Sequence, residues 1–226
     1  MSGLELISVH MPKCAGTSFR QSLIAAYSEP AVRFDYSDAP LNPSSPMNLD
    51  PEGFFAEAAN WQPPDGIKAI HGHFHIHKYN HIKASCLRAT FLRHPVDRLI
   101  SHYFYWLNTP KHNHRLHDYV LDKGLTLTQF ARLPMLRYSF TGGFFKDVDM
   151  GIFDFIGLHE RYQTDIDRLA VLLGRPLPSA SDNLNPQPDY DQKKRALVTD
   201  PAIMAELTHI LAKDIGFYEA LCDRLG

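Results

Sequence analysis

The chain has 226 residues, a net charge of −2, 44% hydrophobic and 21% charged residues, the profile of a water-soluble domain that can cover a sheet with helices. Near-neutral charge argues against a general nucleic-acid binder, and no apolar run approaches the ~20 residues of a membrane helix. Three scattered cysteines (Cys14, Cys86, Cys222) without metal spacing, and no basic-plus-apolar leader, make a reducing, cytoplasmic location the expectation.

The first predicted strand is the apolar run Leu4–Val9, and Phe19, Leu23 and Ile24 recur at helical spacing up to Tyr27. Between them lies Pro12-Lys13-Cys14-Ala15-Gly16-Thr17-Ser18. A strand feeding a helix through so small a loop aims free backbone N–H groups and a helix dipole at one spot, which suits a phosphate-like anion. Lys13 adds a charge, and Thr17 or Ser18 can cap the helix or donate to an oxyanion. The lysine precedes the glycine, so this is not the nucleotide loop G-x-x-x-x-G-K-[ST]. An ordinary strand–turn–helix with a capping threonine stays open as the plainer reading.

Residues 28–66 hold seven prolines and read as an insertion, either facing a substrate or merely solvated, with a short helix over 51–60 capped by Asp50. Strands are predicted at Ile67–Phe74, Leu87–Leu92 and Phe153–Leu158, and helices at Val96–Leu107 behind Pro95, Arg161–Leu173 ended by Gly174, and Pro201–Leu221 as one helix or two. Residues 111–150 read as helix and loop broken at Gly124, Pro134 and Gly142-Gly143, and 179–190 as polar loop. Strands alternating with helices imply one α/β domain over 1–226, a parallel β-sheet with right-handed crossovers, flanked by helices.

Arg93 follows the third strand, at the sheet edge where open α/β folds bind ligands, and Ser101 lies eight residues on. An arginine fork with a hydroxyl suits a phosphate dianion; the alternative is a surface ion pair and a packed serine. Arg98 reads as structural, paired with Asp97 or a neighbouring loop. In Ile70–His77, His71, His73, His75 and His77 alternate and could share a strand face. That pattern allows a metal site, a general base or satisfied structural histidines.

Together, HMPKCAGTSFR resembles the 5′-phosphosulfate loop of sulfotransferases that use 3′-phosphoadenosine-5′-phosphosulfate (PAPS), and LRHPVDRLISHY resembles their 3′-phosphate motif. FDFIGLHERYQTDIDRL is similar to a later strand–helix of the Golgi-type carbohydrate branch, which contains heparan sulfate 2-O-sulfotransferase. The resemblance implies a P-loop-NTPase-like sulfotransferase fold and an enzyme that moves a sulfuryl group from PAPS to a hydroxyl acceptor. The candidate acceptors are a sugar on a glycan or glycolipid, a tyrosine and a small alcohol, and the likeness of His71-Gly72-His73 to that branch's His-Gly-His favours a carbohydrate or glycolipid. It places Lys13, Cys14, Ala15, Gly16, Thr17 and Ser18 on the phosphosulfate and Arg93 and Ser101 on the 3′-phosphate. It also makes His73 the base with His71 as helper, while His75 and His77 leave the site. No metal is called for, because lysine and helix end supply the positive charge. The partners are then a nucleotide and a hydroxyl compound, with the oligomeric state open.

Cys14 stands where that branch commonly has threonine; a thiol beside Lys13 is either redox-sensitive or simply packed. Tyr103, Phe104, Tyr105 and Trp106 read mostly as core. His112, His114, Arg115 and His117 are a candidate basic rim, and Lys193-Lys194-Arg195 a solvated run. Two other functions compete: a non-catalytic adenosine-bisphosphate-binding protein, and a nucleotide-dependent phosphotransferase. The second would need a Ser/Thr after Gly-Lys, which is missing, and an acidic strand end, for which Asp154 is a poor candidate.

Overall fold

The computed structural model describes residues 3–82, 86–112, 114–178 and 190–225. Among them, five short strands form one parallel sheet: β1 (Leu6–Val9), β2 (Val32–Asp35), β3 (Ala69–Gly72), β4 (Leu87–Leu92) and β5 (Phe155–Leu158), in the order β2-β3-β1-β4-β5. The helices are α1 (Gly16–Tyr27), α2 (Pro46–Leu49), α3 (Pro51–Ala58), α4 (Pro95–Asn108), α5 (Arg115–Lys123), α6 (Leu127–Ala131), α7 (Pro134–Arg137), α8 (Tyr162–Leu173), α9 (Tyr190–Val198), α10 (Pro201–Ile210) and α11 (Ala212–Leu225). This is the expected α/β class, a parallel sheet with helical crossovers. The described residues gather into two compact units.

The first unit, within 3–40, 44–93 and 147–178, holds the sheet with α1, α2, α3 and α8. Leu6, Ala69, Ala89 and Phe155 of the sheet pack against Phe19 and Leu23 of α1 and Ile166 and Leu169 of α8. Each large side chain so buried contributes about 1.5–3 kcal/mol. Asp165 fastens α8 to the sheet, accepting from the Leu158 N–H at 2.8 Å and from Arg161 and Arg168 at 3.0 Å each. Gly174 closes α8 at φ 61°, a left-handed turn that glycine adopts without strain. Asp50 caps α3, its Oδ1 accepting from the Gly53 N–H at 3.1 Å, and Asp154 Oδ2 is occupied by the Arg88 N–H at 2.8 Å.

Two expectations change here. The 28–66 stretch is not insertion throughout, because it contains β2, which pairs in parallel with β3. A four-residue edge strand with an exposed arginine, Arg33, is too short to show a period. The second predicted strand ends early, at Gly72, where any Cβ would stand 1.7 Å from the Asp35 carbonyl oxygen. The chain then turns into a 3₁₀ segment, Ile76–Tyr79. The four alternating histidines therefore do not line one face.

The second unit, within 41–43, 94–146 and 190–225, is helical. Leu99, Ile100 and Phe104 of α4 pack with Phe130 of α6 and Leu207 and Ile210 of α10. Arg98 is buried and structural, as expected, but its partner is Ser139, whose Oγ accepts from Nη2 at 2.7 Å; Asp97 instead faces Lys194 at 3.8 Å. Phe104 and Trp106 are core, whereas Tyr105 is exposed. Gly142-Gly143 lie inside a π-helical turn, Ser139–Phe144, rather than at a break. The proposed histidine rim is corrected: His117 is buried with Nε2 2.9 Å from the Trp106 carbonyl, and His114 Nδ1 caps α5 by accepting the His117 N–H at 3.2 Å. Pro201–Leu221 is two helices, and α9 carries the Lys-Arg run; the polar loop at 179–189 lies outside the described residues.

Candidate active site

The loop after β1 is built on strain. Lys13 and Ala15 sit at φ 69° and 60°, in the left-handed region. Each costs an L-residue roughly 1–2 kcal/mol, and such conformations in sequence turn backbone amides into a concave anion receptor. Ala15 is the N-cap of α1, with no side-chain cap, so neither Thr17 nor Ser18 caps this helix; Thr17 is exposed and Ser18 buried. The first helical bond runs from the Phe19 N–H to the Ala15 carbonyl at 3.0 Å, so the amides of Gly16, Thr17 and Ser18 have no intrahelical acceptor. The Cys14 amide is already spent on the Met11 carbonyl at 3.2 Å, which removes it from the expected set of donors. Its thiol is buried, 3.9 Å from the Pro12 carbonyl, a packed position.

Arg93, the residue after β4, reaches the same loop: its Nη1 donates to the Lys13 carbonyl at 3.4 Å. Burial, and then the Arg93 charge, lower the Lys13 pKa from the usual lysine value. Two cations held together over free amides, in a loop already strained, suit a ligand with more than one negative charge. Ser101 lies buried on α4 in the second unit.

Beside this loop stands a cluster of imidazoles. His71 is buried, its Nδ1 3.1 Å from Ser8 Oγ on β1. Its ring stacks on His10 with centroids 5.0 Å apart and planes at 11°. His73 lies 4.5 Å from His10 and meets Tyr36 edge-on at 4.7 Å. Burial pulls the pKa of His71 down to about 3 and that of His73 to about 4, and lowers His10 well below the ordinary imidazole value, with the neighbouring rings as the next cause for His10 and His71. All three are neutral at pH 7. Nothing in the sequence alone marks His10. Its signal was the strand register: Val9 pairs with Gly72, so the residue after each, His10 and His73, come side by side. That register is invisible until β1 and β3 are known to be neighbours.

His75 and His77 leave the cluster, as expected, and pack against Phe55 at 5.9 and 6.5 Å. What holds the end of β3 was also missed. Lys78 Nζ pairs with Asp35 at 2.7 Å and with Asp38, and the Tyr79 hydroxyl donates to Asp35 at 2.6 Å. Burial and Asp35 raise the Tyr79 pKa, so it stays a donor, and the clasp ties the end of β2 to the segment that follows His73. Among the described residues no group of three or more His, Cys, Asp or Glu side chains is arranged to hold a metal ion. No described helix is long and apolar enough to cross a membrane.

A parallel sheet whose β1 and β4 loops bring cations together over a helix start, next to neutral imidazoles, is an anion-handling α/β site. The sequence model of the sulfotransferase family matches residues 3–135, and the chain belongs to that family. No curated protein matches it. Among solved structures, it is similar to a sulfotransferase from Alicyclobacillus acidocaldarius (12% identity, TM-score 0.38, covering 92% of this chain and 96% of that one). It is also similar to mouse sulfotransferase SULT7A1 complexed with PAP (12% identity, TM-score 0.37, covering 90% of this chain and 67% of that one).

Proposed function

We propose that this sulfotransferase takes its sulfuryl group from PAPS and delivers it to a hydroxyl group on a carbohydrate, without a metal. The observation that carries this reading is the meeting of Lys13 and Arg93 at the tips of β1 and β4, 3.4 Å apart from guanidinium nitrogen to carbonyl oxygen. In it, the amides of Gly16, Thr17 and Ser18 receive the 5′-phosphosulfate and Arg93 receives the 3′-phosphate. The resemblance alone assigns the Ser101 hydroxyl to that phosphate. Sulfuryl transfer forms the acceptor O–S bond as the bridging O–S bond breaks, with charge growing on the departing phosphate oxygen. Lys13 neutralises that oxygen. His73, neutral because its buried ring resists protonation, takes the acceptor's proton on a ring nitrogen, and His71, tied to Ser8, orients it. The sugar acceptor rests on the His71-Gly72-His73 resemblance. The thiols Cys14, Cys86 and Cys222, none of them in a disulfide, support a reducing, cytoplasmic setting.

Calorimetry with adenosine 3′,5′-bisphosphate (PAP) against AMP and ATP tests the reading. Tight binding of PAP that the other two do not match is expected. Equal affinity for all three removes Arg93 from 3′-phosphate recognition and with it the assignment of PAPS as donor.

A further inference from the structure

His10 touches both halves of the site and has no role in the chemistry above. Its Nε2 edge lies directly over the first residue of α1: a Cβ on Gly16 would stand 1.5 Å from it. Its ring contacts His71 and His73 on the other side, at 5.0 and 4.5 Å. The imidazole thus touches both the start of the amide cradle and the candidate base. We propose that His10 is a third catalytic side chain, whose Nε2–H donates to a non-bridging oxygen of the sulfuryl group and holds it in line for attack. The inference rests on the sulfotransfer reading and adds a residue to it.

The tautomer follows from the surroundings. Nδ1 is sealed from solvent and has no hydrogen-bond partner among the described residues. A proton there would be a buried N–H with no acceptor, a rarer situation in folded proteins than the bare acceptor nitrogen that the other tautomer leaves. The proton therefore sits on Nε2, on the Gly16 side. The groups facing the ring are Lys13 from the loop, His71 and His73 from the end of β3, and the edge of Tyr36. None of them carries negative charge, and burial, His73, His71 and Lys13 all act against a proton on the second nitrogen. A neutral N–H donor suits this position, since Lys13 and Arg93 already supply the cations. The close approach also explains the glycine: position 16 is kept bare by the His10 ring, not by its own backbone angles.

The test compares affinities for PAPS and PAP by calorimetry, because their ratio reads contacts to the sulfuryl group and needs no acceptor. Wild type is expected to favour PAPS. His10→Phe, which keeps a ring but no donor, is expected to hold PAP within about twofold while the preference for PAPS drops about tenfold to hundredfold. His10→Gln, which restores an N–H, should recover part of that preference. If the phenylalanine variant does not fold, His10→Met takes its place beside His10→Gln. Wild type with no preference, an unchanged ratio in the donorless variant, or a glutamine variant as poor as that one overturns the role of His10. Wild type that fails to bind PAP at all overturns the donor assignment itself, a separate and recognisable result.

Discussion

Acid should unfold this protein through its buried imidazoles. In the unfolded chain a histidine takes up a proton near pH 6.5, whereas in the fold His71 does so only at about 3 and His73 at about 4. Because the folded values are depressed, the stabilisation is complete above the unfolded value and is lost as pH falls below it, levelling off only near the folded values. Between pH 7.5 and 5 the unfolded state gains almost a full proton on each ring and the folded state almost none. Linkage then gives a loss of about 2 kcal/mol per ring, about 4 kcal/mol for His71 and His73 together, with His10 adding to it in the same direction. Total stabilities of such domains are about 5–15 kcal/mol, so the effect is large. Urea denaturation at constant ionic strength, repeated from pH 7.5 down to 5, measures it for wild type and for His73→Gln. The variant should lose about 2 kcal/mol less than wild type over that span. Parallel curves for the two proteins would refute the view that His73 is held neutral by burial.

Three further outcomes follow from the site. Lys13→Ala should cut turnover by about 10²–10³ while leaving the melting temperature near that of wild type, the usual scale for one lost transition-state donor; near-normal turnover removes Lys13 from the chemistry. Ala15→Gly should stabilise the protein by about 0.5–1 kcal/mol in thermal melts, because the left-handed strain relieved exceeds the entropy gained by the unfolded chain. Gly72→Ala should cost at least about 1–3 kcal/mol, since its Cβ meets the Asp35 backbone oxygen rather than a movable side chain; unaltered stability would contradict that contact.

What the sequence disclosed depended on how local the cause was. LRATFL became β4 with the boundaries read from its apolar run, and Asp50 and Gly174 bounded their helices as cap and stop. The amide cradle was legible because small residues between a strand and a helix leave few other conformations. Its details were not: Ala15 rather than Thr17 occupies the cap, in a backbone state alanine seldom adopts, and only the surrounding fold can impose it. β2 escaped notice because four residues with Arg33 in the middle carry no usable period. His10 and the Lys78 clasp were hidden for a different reason. Both depend on which strands lie side by side, and His10 meets His73 only because β1 pairs with β3.

That pairing has a kinetic side. Ser8 and His71, which touch across it, are 63 residues apart in sequence, and parallel ladders of such long reach close late because chain entropy must be lost before any contact forms. The imidazole cluster thus cannot assemble ahead of the sheet centre, and in a refolding experiment recovery of nucleotide binding should lag behind the return of helical signal.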